Sequence, residues 1–99
     1  MGERCAGWFL QRRGAAVLER NIRVTDGEID LLVELDGLRI AVEVKTIVGA
    51  GDPLGRIDAH KRDVVYRSAA ALDGRIDRVD AIGVELFDDH VAIRWVPSL

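Results

Sequence analysis

The chain has 99 residues, 48% of them hydrophobic and 31% charged, which bounds it to a single small domain, residues 1–99, with one core. Its net charge of −3 excludes an overall basic field, so any nucleic-acid binding has to rest on a local patch. No apolar run approaches the roughly 20 residues of a membrane span, so no membrane partner is expected. The opening MGERCAGWFLQRRG has an acid at Glu3 and no cleavable apolar stretch, which argues against a signal peptide. Ala6 stands where a myristoylation signal needs Ser or Thr. Cys5 has no second cysteine to pair with, as is usual in a reducing compartment. These points together predict a cytoplasmic protein.

In chain order, Glu3 to Arg13 reads as a helix ending at Gly14, a residue suited to the left-handed position after a helix. Ala6, Phe9, Leu10 and Arg13 recur at one-turn spacing, and Glu3 lies at the N-terminal end of that stripe, where an acid also suits the helix dipole. Ala15 to Val24 reads as a first strand, and Thr25-Asp26-Gly27 as a turn.

Glu28 to Lys45 then forms two alternating apolar runs joined by Asp36-Gly37. Asp-Gly between such runs marks a hairpin, because a type I′ turn needs positive φ at both central residues. That loop sets the register. Leu35 faces Leu38, Glu34 faces Arg39, Leu32 faces Ala41, Asp30 faces Glu43 and Glu28 faces Lys45. One face is wholly apolar, from Ile29, Leu31, Val33 and Leu35 to Leu38, Ile40, Val42 and Val44. The other carries the charges. Glu28–Lys45 and Glu34–Arg39 are ordinary stabilising pairs, but Asp30 opposite Glu43 sets two carboxylates against each other. A hard divalent cation bound between them reverses that cost, and Lys45, two residues from Glu43 on the same face, reaches the same place. Two acids and a lysine are what metal-assisted phosphodiester hydrolysis needs. The plainer reading is that an acid-rich strand face is merely solvated.

Thr46 to Gly51 is glycine-rich and reads as a loop beside the site. Asp52-Pro53 reads as the N-cap and first residue of a second helix running to about Leu72. Its apolar stripe is Ile57, Val64, Val65, Ser68, Ala69 and Leu72, with Lys61 inside it and His60 off it. Arg78 to Phe87 is a fourth strand apolar enough to be buried on both faces. Asp88-Asp89 is a turn, and Val91, Ile93 and Trp95 alternate in a last strand stopped by Pro97. The order is αβββαββ, with a helical crossover that makes the third and fourth strands parallel.

Asp30 followed across the hairpin by Glu43-Val44-Lys45 has the form D…ExK, which resembles the active site of the PD-(D/E)xK nuclease superfamily. The longer string GEIDLL…VEVKT is similar to the YraN-like family of small bacterial proteins related to Holliday-junction resolvases. So are Gly2-Glu3…Leu10…Gly14 and Leu18-Glu19-Arg20-Asn21. Gly51, Pro53, Ile57 and Lys61 fit that family's spacing, and Arg78-Val79-Asp80 resembles its RFD segment with Val for Phe. Gly55 and Ile47 depart from it, standing where the family has an acid and an Arg, and both departures bear on phosphate contacts.

The resemblance implies an α/β fold with a restriction endonuclease-like αβββαββ core, a mixed central sheet flanked by helices. It implies Mg²⁺ or Mn²⁺ held by Asp30 and Glu43, with Glu3 joining them. Lys45 would act on the attacking water and Glu28 would assist. Lys61 and Thr46 would touch substrate. The implied partner is DNA, branched or junction DNA included. Enzymes that cut both strands of a junction are often dimers, so a homodimer is also implied, with no contact surface marked in the residues. The alternative is a catalytically inactive module on the same fold that binds nucleic acid or protein. The acidic balance and the missing arginine fit it, and metal binding separates the two.

Overall fold

The computed structural model describes residues 2–24, 27–56, 59–71 and 74–99, with residues 56 and 59–61 described as backbone only. Helix α1 spans Gly2–Gln11. It ends in a Schellman motif at Gly14, whose φ is 92°. Ala15 N–H donates to Leu10 O at 3.0 Å and Gly14 N–H to Gln11 O at 3.1 Å, so carbonyls the helix leaves open are satisfied. The strands are β1 (Ala16–Val24), β2 (Gly27–Leu35), β3 (Leu38–Val48), β4 (Arg78–Leu86) and β5 (Val91–Val96). Helix α2, Ala59–Ala70, lies between β3 and β4 in the chain.

The described strands form one five-stranded sheet in the order β1-β2-β3-β4-β5. Only β3 and β4 pair in parallel, as a helical crossover requires; the other neighbours are antiparallel. This is the α/β architecture and element order expected from the sequence, and it is compatible with a restriction endonuclease-like core. Asp36 and Gly37 have φ of 52° and 79°, the pair of positive values a type I′ turn demands.

The sheet is covered on both faces. Ala6 and Leu10 of α1 pack on Leu31, Val33, Ile40, Val42, Val44, Ile82 and Val84. Val65 and Ala69 of α2 pack with Ile29, Ala41 and Val79. Strand β4 is buried from Val79 to Val84, as its continuous apolar run requires.

Three expectations are corrected. The second helix does not begin at Asp52-Pro53. Pro53–Arg56 is a separate 3-10 turn, and α2 starts at Ala59. Gly55 N–H donates to Asp52 O at 3.2 Å, a turn closed locally with a residue of poor helix propensity. Thr46 to Val48 is strand, not loop, because each residue has a partner on β4, from Thr46↔Val84 to Val48↔Leu86. Ile29 packs with the α2 cluster, not with Leu31 and Val33 as strict alternation places it. Beside this stretch, Asn21 of β1, between Arg20↔Leu31 and Ile22↔Ile29 in the β1–β2 register, has φ 52°, and the β2–β3 ladder ends at Leu31↔Val42. The turn residues Thr25 and Asp26, and Ile57 and Leu72 of the second helical stripe, lie outside the described residues.

Candidate metal and phosphodiester site

The β2–β3 ladder runs from Leu35↔Leu38 through Glu34↔Arg39 and Leu32↔Ala41, as the turn dictates, and ends at Leu31↔Val42. Past that point β2 keeps its pairing with β1 and β3 its pairing with β4. The sheet therefore splits where Asp30 and Glu43 stand. The expected ladder pairing of Asp30 with Glu43 and of Glu28 with Lys45 is not formed by backbone. The two carboxyls still meet. Val44 N–H donates to Asp30 Oδ2 at 2.7 Å, so the Asp30 side chain takes the bond that a continued ladder would have made. Its carboxyl also lies within hydrogen-bonding reach of Glu43.

Burial pushes the Asp30 carboxyl up to about 7, against the pull of the Val44 N–H, and the charges of Glu43 and Glu3 push the same way. Lys45 Nζ lies 3.3 Å from Glu43 Oε1, an ion pair whose side chains are 25% and 12% exposed. Asp30 and Glu43 face α2 across a pocket of about 290 Å³ lined also by Gly27, Glu28, Val64, Val65 and Ser68.

Ser68 was expected only as part of the helix stripe. It is 1% exposed, and its hydroxyl has no hydrogen-bond partner among the described residues. A Cβ on Gly27 would lie 2.6 Å from Ser68 Oγ, so the bare backbone of Gly27 makes room for the hydroxyl. A buried polar group without a partner is costly, and one beside a pocket of carboxylates fits a site shaped for something more than its own side chains.

The other expected residues are placed as follows. Glu3, in the first turn of α1, acts on Asp30 through its charge. Among the described residues no three acidic, histidine or cysteine side chains are gathered as a ready-made metal cage. Glu28 is exposed, lines the pocket and stands opposite Arg23 in the β1–β2 register. Thr46 packs against Gly2, where an added side chain would collide with the Thr46 hydroxyl. It thus anchors the start of α1 to β3. Lys61 belongs to α2, and its side chain, like that of His60, lies outside the described residues.

The donor set suits a hard divalent cation. Mg²⁺ usually takes one or two protein carboxylates and keeps several waters. Asp30 and Glu43 are such a pair, and the strained ionisation of Asp30 is what a cation would relieve.

One buried carboxylate outside the site was read from sequence only as part of a family-like segment. Asp80, on β4, is 1% exposed and accepts four hydrogen bonds. Arg78 donates to it through Nε at 2.8 Å and Nη2 at 2.9 Å, Trp95 through Nε1 at 2.9 Å, and Ser98 through its backbone N–H at 3.0 Å. The available signal was Arg78 two residues away on the same strand face.

A mixed sheet between two helices, with an acid pair and a lysine where the central ladder splits, defines an α/β domain of the kind that can host a D…ExK site. Comparison with known proteins narrows the class. The profile described as "Uncharacterised protein family UPF0102" matches residues 2–84. A UPF0102 protein of Syntrophotalea carbinolica is 34% identical, over 98% of this chain and 85% of its own. One of Thermotoga neapolitana is 38% identical over 81% and 84%, and one of Chlorobium chlorochromatii is 39% identical over 92% and 76%. The chain belongs to the UPF0102 family, the YraN-like group that its motifs resemble. Among the described residues no helix is long and apolar enough to cross a membrane.

Proposed function

We propose that this protein is a Mg²⁺- or Mn²⁺-dependent endonuclease acting on DNA, with branched or junction DNA among its substrates. The observation that carries the reading is the meeting of Asp30 and Glu43 where the β2–β3 ladder ends, with Lys45 3.3 Å from Glu43. A divalent cation bound at the pair supplies Lewis-acid polarisation of the phosphate and makes a water more acidic. The chain's own residues do the rest. Asp30 and Glu43 hold the cation, and the Val44 N–H fixes the Asp30 carboxyl in place. Lys45 orients the attacking water and offsets negative charge as it builds on the phosphate. Glu28 and Glu3 add negative charge at the rim, and Thr46 and Lys61 take substrate contacts. The same reading places the protein in the cytoplasm and allows for a homodimer.

Lys45 is already paired with Glu43, and that pairing favours one second reading: a binding module on the same fold with no turnover. Cleavage of fork, junction and duplex DNA with Mg²⁺ separates the two. Wild type is expected to cut at least one of these, and Lys45→Ala to cut it about 100- to 1000-fold more slowly. No cleavage by wild type of any of the three, or equal rates in both proteins, counts against the enzyme.

A further inference from the structure

Positive charge is concentrated at one place in this acidic chain. In residues 2–24 five arginines stand against two acids, Glu3 and Glu19, whereas the whole chain has a net charge of −3. On the outer side of α1, Arg4, Trp8 and Arg12 follow one another at one-turn spacing, and all three are exposed. Trp8 is 58% exposed, with the Arg12 guanidinium 5.1 Å from its ring centroid. From β1, Arg20 lays its guanidinium over α1 at Gly7, where a Cβ would lie 2.8 Å from Nη1. Gly7 thus leaves room for the Arg20 guanidinium against the flank of α1. Among the described residues, none of Arg4, Arg12 and Arg20 has a carboxylate partner.

An arginine row is often no more than solvated surface. Here the cations have no carboxylate partner among the described residues, one is seated by a glycine, and the row carries a large indole that the core does not use. Guanidinium groups match phosphate oxygens, and an exposed indole offers a face on which an unpaired base can stack. The row also starts where α1 packs on β3, since a Cβ on Gly2 would collide with the Thr46 hydroxyl, three residues past Glu43.

We propose that the outer face of α1, extended by Arg20, binds a single-stranded segment of DNA and leads it to Asp30 and Glu43. Arg4, Arg12 and Arg20 take phosphates, and Trp8 stacks on a base. The proposal rests on the reading of the protein as a DNA nuclease and names the surface that reading lacks.

Binding of a labelled oligo-dT strand and of a duplex of equal length is measured by anisotropy in EDTA, across a range of salt. Cleavage is off there, so the metal site does not enter. Replacing Arg4, Arg12 and Arg20 by glutamine is expected to flatten the log–log salt dependence by about 0.7 for each phosphate no longer neutralised. Trp8→Ala is expected to weaken oligo-dT roughly tenfold and the duplex far less, with Trp8→Phe restoring most of the affinity. Melting curves establish that each variant is folded, and single arginine variants replace the triple one if it is not. If wild type binds the strand and the arginine variants keep its affinity and salt slope, this surface is wrong and the nuclease reading stands. If wild type binds no DNA at low salt and cuts none with Mg²⁺, both fall.

Discussion

Asp80→Ala is expected to lose about 3–5 kcal/mol of folding stability, the range for removing one partner of a buried ion pair. The carboxylate is enclosed, and its four donors come from three places in the chain: Arg78 on β4, Trp95 on β5 and the Ser98 backbone. Without it, the Arg78 guanidinium, only 25% exposed, is left beside an apolar void, and the Trp95 N–H loses its acceptor. Ser98 also has φ 56°, a left-handed conformation that a non-glycine residue keeps only when its surroundings hold it. Small domains have about 5–15 kcal/mol to lose, so the effect would be large. Urea unfolding of the two proteins measures it. A loss under about 1 kcal/mol would mean that the network is dispensable.

Asp30→Asn is expected to behave in the opposite way when metal is absent. The amide oxygen can still accept the Val44 N–H, so the shape is kept, while the repulsion with Glu43 and Glu3 disappears. The sign of the pH dependence follows from the shift. The unfolded carboxyl has a pKa of about 3.9, and burial raises the folded one to about 7. Between those values the folded state holds a proton that the unfolded state has released. The contribution to stability is therefore full below about pH 4 and is lost as pH rises through about 7. Asp30 is partly open to solvent, so screening limits the effect to about 1–2 kcal/mol. In EDTA at pH 8 the Asn variant should be as stable as wild type or more so, with the difference vanishing near pH 4. A variant that is clearly less stable at pH 8 would make Asp30 a structural hydrogen-bonding residue and not a ligand.

The two carboxylates thus have opposed roles, and sequence separated them unevenly. Asp30 was legible because a hairpin fixes its neighbours locally: Asp36-Gly37 sets the register as far as Leu31↔Val42, and Asp30 and Glu43 are the next residues on the two strands. Asp80 was not, because Trp95 and Ser98 reach it only through the folded β4–β5 hairpin and the turn beyond. The same division holds for the fold. The end of α1 at Gly14 and the burial of β4 depend on short stretches and were expected. The extension of β3 through Thr46–Val48 depends on parallel pairing with β4, a non-local partner that outweighs the glycines that follow. The late start of α2 reflects a turn closed by Asp52 and Gly55, which the Asp-Pro start signal concealed. At the site itself, the carboxylates and lysine were expected. The splitting of the ladder and the Ser68 hydroxyl, which has no partner among the described residues, were not, since each breaks a rule of regular structure and such breaks concentrate where function is built.

The central claim is that Asp30 and Glu43 hold a divalent cation, and thermal melting at pH 8 tests it most directly. Wild type and Asp30→Asn are compared in EDTA and with Mg²⁺ or Mn²⁺ added. A cation bound by the native pair and not by the unfolded chain stabilises wild type by about 2.7 kcal/mol at 100 times Kd and leaves the variant unmoved. An equal shift in both proteins, or none in either, would contradict a metal site at this pair.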